Sequence, residues 1–201
     1  MKEITINAQV RTEFGKKASR EFRRNGQVPA VVYGEEKDKN GLPVAKSILV
    51  SEKELNKLLY TPNVYIVNLN IDGKVVKAIL KDLQSDFVTD RPVHVDFYEI
   101  TETKPVVIEI PVKLNGLAEG VRAGGKLALN VRKLAVKATY DKFPDVLDID
   151  VTNLGLGKTM KVAALNYEGL EIVTSKEVVV CAVRMTRAAR AAAAEGTEGA
   201  E

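Results

Sequence analysis

Few side chains in this 201-residue chain have the types and spacing for bond-making chemistry. His94, its one histidine, stands two residues from Asp96. In a strand that spacing puts both on one face, where a carboxylate orients an imidazole as a general base. No nucleophile or second acid accompanies the pair, so it reads equally as a polar surface row. With one histidine and one cysteine, a site with two histidine ligands is excluded and the usual Cys/His zinc sets are disfavoured. Gly157-Lys158-Thr159 has the ending of a phosphate-binding loop, but the glycine needed five residues before the Gly-Lys pair is Thr152. Cys181 lies in the apolar run 178–183, where it reads as a core residue. The expectation is a protein that is not an enzyme, with no metal site, no cofactor of its own and no small-molecule substrate.

Binding chemistry is better represented. Residues 11–24 hold six basic side chains (Arg11, Lys16, Lys17, Arg20, Arg23, Arg24) against Glu13 and Glu21, a local +4 in a chain of net charge +3. Positive potential is thus concentrated near the N-terminus. Residues 16–25, closed by Gly26, read as a helix. At about 100° per residue, Lys16, Arg20, Arg23 and Arg24 share one arc, with Lys17 at its edge. Ala18 and Phe22 lie opposite, so the helix should rest on Phe22 and present its cations outward. A charged face on a surface helix is most often only solvated. This one is almost purely positive, is richer in Arg than Lys, and has the His94–Asp96 row as a candidate neighbour. Arg forks match phosphate geometry, and acidic or neutral side chains accept hydrogen bonds from bases and 2′-hydroxyls. Such a mixture suits structured RNA.

The elements that position these residues are mostly strands. Alternation in residues 4–10 places Ile4, Ile6, Ala8 and Val10 on one face. An apolar run at 29–34 ends in Tyr33-Gly34, and a polar loop at 35–43 follows, long enough to be mobile. Ser51-Glu-Lys-Glu54 has a capping-box pattern before a helix with Leu55, Leu58 and Leu59 inward. Strands at 64–71 and 74–84 flank Asp72-Gly73, a favoured hairpin turn. After a polar loop, Val93, Val95 and Phe97 face inward in the next strand, with His94, Asp96 and Tyr98 outward. The pattern restarts near 101–105. Beyond it, Pro111 argues for an edge strand or a bulge, and a glycine-rich connector (Gly116, Gly120, Gly124, Gly125) leads to strands near 134–139, 146–151 and 178–185. These short strands predict an antiparallel β domain. The resulting organisation is 1–100, 101–187 and an alanine-rich, disordered tail at 188–201.

Global composition is less telling. At 45% hydrophobic and 28% charged, the chain has the make-up of a globular protein. No apolar run reaches the roughly 18 residues of a membrane span, and the start lacks a signal peptide's apolar core. A cytoplasmic protein is the default expectation. Residues 1–100 carry +2, 101–187 carry +3 and the tail −2, so the binding argument rests on local placement.

The segment 7–34, with Asn-Ala-Gln-Val-Arg, Gly-Lys-Lys-Ala-Ser-Arg and Val-Pro-Ala-Val-Val-Tyr-Gly in order, closely resembles the ribosomal protein L twenty-five family. Lys81-Asp-Leu-Gln84 and His94-Val-Asp-Phe97 match its later motifs. The second half, with Gly124-Gly125 and Asp148-Ile-Asp-Val-Thr-Asn-Leu154, looks like the β domain of its longer, CTC or general stress protein type. The resemblance implies a mainly β (α+β) fold, with an N-terminal six-stranded barrel bearing short helices. It also implies binding of 5S rRNA at the loop E region in the large ribosomal subunit, beside neighbouring ribosomal proteins. Magnesium would enter only as part of the RNA. Carried over by motif, the RNA-contacting residues are Arg11, Lys16, Ser19, Arg20, Arg23, Tyr33, Lys81, Asp82, Gln84, His94 and Asp96. The competing expectation is a general stress factor that binds proteins off the ribosome, through its C-terminal β domain.

Overall fold

Local preferences along the first hundred residues resolve, in the computed structural model, into six strands and two helices. The structure describes residues 2–34, 41, 44–101, 104–187 and 189–190. In chain order the elements are β1 (Lys2–Val10), α1 (Lys16–Arg24), β2 (Gln27–Tyr33), β3 (Lys46–Ser51), α2 (Glu52–Leu59), β4 (Tyr65–Ile71), β5 (Lys74–Ser85) and β6 (Pro92–Glu99). The strands close into a barrel in the order β1-β3-β2-β6-β5-β4. Closure removes free sheet edges. The β1–β4 and β2–β6 ladders are parallel, and the other four are antiparallel.

Alternation decides what fills the barrel. Ile6, Val28, Ile48, Val50, Val67, Leu69, Val95 and Phe97 are buried on its inner face, and Leu55 and Leu58 of α2 join the same cluster. Leu59 packs against it partly buried. Val10 departs from the alternating expectation and is half exposed. The β1–β4 ladder ends at Ala8, so Val10 is flanked only by Ile48 of β3 and lacks a strand on its other side. Asp72 and Gly73 both have positive φ, 47° and 89°, as the tight hairpin joining β4 to β5 requires.

The capping box at Ser51 is not formed. Ser51 precedes α2 without a side-chain cap bond. Glu54 instead accepts hydrogen bonds from the Asn7 backbone N–H at 2.9 Å and from Asn7 Nδ2 at 3.4 Å. Asn7 lies one residue past the β1–β3 ladder, which begins at Ala8. Its amide would otherwise lack a strand partner on that side, and a carboxylate is a strong acceptor for it.

The remaining elements are β7 (Val106–Asn115), α3 (Glu119–Arg122), β8 (Lys126–Leu129), β9 (Lys133–Ala138), β10 (Leu147–Asp150), β11 (Thr159–Lys161), β12 (Glu171–Ile172) and β13 (Val179–Arg184). They form a sheet ordered β10-β7-β9-β12 and another ordered β11-β13-β8. Against the antiparallel expectation, β7 and β10 pair in parallel. Nor is β7 an edge strand: Pro111 sits inside the sheet, and the β10 ladder starts at Val112, one residue past the missing N–H. In the glycine-rich connector, a Cβ at Gly120 would lie 2.6 Å from the Gly155–Leu156 backbone, so α3 approaches that segment only because Gly120 has no side chain. The chain divides into two compact units, Met1–Val106 with Thr139–Phe143, and Val107–Ala138 with Pro144–Glu201.

Among the described residues no helix is long and apolar enough to cross a membrane. Most of the loop at 35–43, and the tail apart from Ala189 and Arg190, lie outside the described residues. Ala189 is buried and Arg190 N–H bonds to Thr186 O at 3.0 Å, so a helical turn begins there.

Candidate nucleic-acid interface

The connection from β1 to α1 is built around one guanidinium. Arg11 lies over the Phe14 ring at 5.1 Å and the Phe22 ring at 5.7 Å from their centroids. It donates from Nε to Glu13 O at 2.7 Å and from Nη2 to Ser19 Oγ at 2.8 Å. Ser19 Oγ in turn donates to Gly15 O at 2.8 Å. These contacts set the direction of the helix, so Arg11 and Ser19 are engaged within the chain. Ala18 and Phe22 form the half-buried side of α1, as the helical arc predicts, and Ser19, carried over by motif as an RNA contact, is half-buried with them.

On the opposite side Lys16, Lys17, Arg20, Arg23 and Arg24 are exposed. Arg23 donates from Nε to the Val93 carbonyl at 3.0 Å. That carbonyl belongs to a bulge: Gln84 pairs with His94 and Ser85 with Pro92, so Val93 is skipped in the β5–β6 ladder. A bulge interrupts ladder pairing, and Arg23 fastens α1 to β6 there. Among the described residues Lys16, Lys17, Arg20 and Arg24 make no ion pair or hydrogen bond through their side chains. Positive charge without an internal partner is what a phosphate backbone neutralises.

A second bulge makes the strand row. Leu80 pairs with Phe97 and Asp82 with Asp96, leaving Lys81 as the extra residue of β5. Strict alternation would turn one of Lys81 and Asp82 inward. The bulge lets both remain exposed while Leu83 returns to pack on the core. Asp82 then stands opposite Asp96, and Gln84 opposite His94. His94 Nδ1 lies 3.0 Å from Asp96 Oδ1, with the two side chains 28% and 31% exposed. The Asp82 carboxylate accepts the Leu83 N–H at 2.9 Å.

Tyr33 on β2 pairs in register with Tyr98 of β6, and their rings meet edge-on at 5.8 Å. Partial burial, and then the charges of Asp96 and Asp82, push the Tyr33 phenol above its usual range. It therefore stays a neutral donor and acceptor. Facing carboxylates are unfavourable in a sheet without further partners. This row of Tyr33, Lys81, Asp82, Gln84, His94 and Asp96 presents both donors and acceptors across three adjacent strands, β2, β6 and β5.

Beside α1 runs an open groove of about 300 Å³, bordered by Arg20, Arg23, Arg24, Arg91, Glu52 and Asp86 among others. Arg91 is tied to Glu52 at 3.5 Å, so the groove remains net positive. The motif match includes neither Arg24 nor Arg91. The helical arc does locate Arg24, whereas nothing in the sequence brings Arg91 to α1. The loop between β5 and β6, read as polar, also displays Phe87 and Val88 to solvent.

Among the described residues no group of acidic, histidine or cysteine side chains is arranged to hold a metal. Cys181 is fully buried, and burial pushes its thiol up. Gly157 occupies a positive-φ turn before the three-residue β11, not the start of a phosphate-cradling helix.

The family model of the ribosomal L25p family matches residues 6–97, and that of the C-terminal domain of ribosomal protein TL5 matches residues 105–187. The chain is 62% identical over 194 residues to a Phocaeicola vulgatus protein named large ribosomal subunit protein bL25, covering 96% of this chain and 98% of the relative. Proteins of the same name from Bacteroides thetaiotaomicron and Porphyromonas gingivalis are 51% and 48% identical, each over 96% of this chain and 98% of theirs.

Proposed function

This chain belongs to the ribosomal L25p family, and on that premise we propose that it is a constituent of the large ribosomal subunit that binds 5S rRNA, at the loop E region, through its N-terminal barrel. The family is one of ribosomal proteins and not of enzymes. The observation that carries the reading is the exposed row of Lys16, Lys17, Arg20 and Arg24, without partners among the described residues, on a helix anchored by Arg23 to Val93. Phosphate contacts from this helix supply most of the affinity and fix register. The row from Tyr33 to Asp96 supplies groove-edge contacts, because its carboxylates and amide accept from 2′-hydroxyls and base edges. Lys81 at the bulge neutralises a phosphate beside them. The protein needs no cofactor of its own, and magnesium enters only as part of the RNA.

The test is a gel-shift titration with isolated 5S rRNA across a salt series. Tight binding that weakens with salt is expected, and Arg20→Ala should lower the slope of log K against log salt by about 0.7–0.9. Lack of binding at moderate salt would rule the reading out. A sucrose gradient of cell extract separates the alternatives: co-migration with large subunits supports it, and a wholly free pool supports an off-ribosome protein binder.

A further inference from the structure

Two apolar side chains stand fully in solvent at the tip of the β5–β6 connection. Phe87 is 104% exposed and Val88 92%. A lone exposed apolar residue needs no explanation, but this pair is held out by a closely bonded loop. Asp86 N–H bonds to Arg91 O, and Asp90 N–H to Asp86 O, both at 2.9 Å. The Asp86 carboxylate accepts the N–H groups of Val88 at 2.9 Å and Thr89 at 3.0 Å. Asp90 closes the loop with φ of 55°. A loop already ordered loses little conformational entropy when it binds.

What lies on either side identifies the occupant. On one side is the arginine groove, to which Asp86, Thr89 and Arg91 of this loop contribute. Next to it is an open hollow of about 530 Å³, with Leu83, Phe87 and Val93 as its apolar lining and Gln84, Ser85 and the already bonded Asp86 as its polar part. An exposed apolar ring beside a net-positive groove is complementary to a polyanion that carries flat apolar faces. That describes a nucleic acid strand better than a protein surface, which would need carboxylates to match Arg20 and Arg24, the groove arginines not already bonded to Val93 or Glu52.

Building on the RNA-binding reading above, we propose that Phe87 stacks on a nucleobase of the bound RNA, with the groove arginines on the flanking phosphates. Val88 packs beside it on ribose. The loop is then an apolar contact within an interface otherwise made by charge and hydrogen bonds.

The chain contains no tryptophan, so Phe87→Trp creates a single fluorescent reporter at the contact. With isolated 5S rRNA, its emission should be quenched on binding, and its affinity should match that of the parent. Phe87→Ala should weaken binding roughly 5- to 150-fold, the range for loss of one base–aromatic stack, while leaving the salt slope unchanged. Because Phe87 is fully exposed, the alanine variant's circular dichroism and melting should equal the parent's. If the parent binds, Phe87→Ala binds equally well and the Phe87→Trp emission is unquenched, the inference is overturned and the RNA reading survives. If Phe87→Ala binds 5S rRNA normally but enters large subunits poorly, the loop meets a protein, which also overturns it. If the parent itself does not bind 5S rRNA, both readings fall together.

Discussion

Arg11 and Arg20 sit nine residues apart and belong to the same sequence cluster, yet the structure gives them different work. Arg11 is shared between two aromatic rings, a carbonyl and a hydroxyl, whereas Arg20 is exposed and free of internal partners among the described residues. Arg11→Lys keeps the charge but loses the planar fork and its fit over Phe14 and Phe22. The expected loss is about 1–2 kcal/mol of stability, from one or two hydrogen bonds and the ring contacts. Chemical denaturation should detect it, with the RNA salt slope nearly unchanged. A slope loss as large as that of Arg20→Ala would mean that Arg11 neutralises a phosphate directly. Asp86 offers a pH test at the same scale. Hydrogen bonds from the Thr89 and Val88 amides and the Thr89 side chain hold its carboxyl below the ordinary aspartate range. A folded pKa below the unfolded one means the stabilisation is present above the unfolded value and lost as pH falls through the folded one. The Val88 and Thr89 amide resonances should therefore stay fixed through the ordinary aspartate range and shift together below it. Movement with a midpoint at or above that range would contradict the bonded loop.

At the scale of elements, two bulges in one hairpin do most of the positioning. The first frees Lys81 and Asp82 to face outward together, and the second leaves the Val93 carbonyl to Arg23. Sequence alternation identifies β6 and its outward His94, Asp96 and Tyr98, because a simple strand has period two. It cannot show the Lys81 bulge, since an extra residue changes phase without changing composition. The Asp72-Gly73 turn, by contrast, is legible because its backbone geometry admits few residues. Gly73→Ala, at φ of 89°, should cost about 1 kcal/mol, seen as a lower melting temperature with RNA affinity at the parental level. An unchanged melting temperature would show that the turn relaxes at no cost. Capping at Ser51 shows the opposite case. There a local pattern gives way to a long-range demand, the open amide of Asn7, which only the barrel creates.

For the whole molecule, net charge is a poor guide to the binding surface. The segment carrying more net charge, 101–187, does not contain the basic helix. What distinguishes the first unit is a closed barrel that holds a helix, a bulged hairpin and a loop in fixed register. The second unit has its own buried side chains, among them Leu134, Val136, Leu147 and Ile149. Leu134→Ala should destabilise that unit by about 2–5 kcal/mol, measured by denaturant unfolding. If the RNA surface lies wholly in residues 1–100, the affinity for 5S rRNA should match that of the parent under conditions where the variant remains folded. A large fall in affinity there would show that the second unit participates in binding.

Residue order was enough to specify the strand-rich fold, the basic helical arc with Phe22 beneath it, the tight hairpin at Asp72-Gly73 and the outward row on β6. Each follows from short-range periodicity or from backbone conformations open to few residues. Folding in three dimensions was needed to turn Arg11 and Ser19 inward, to set Arg23 on Val93, to bring Arg91 to the groove and to hold Phe87 in solvent. Those outcomes depend on partners 8 to 70 residues away in the chain or on burial. The His94–Asp96 spacing belongs to both: the strand makes the two neighbours, and the barrel surrounds them with Asp82, Gln84 and Tyr33.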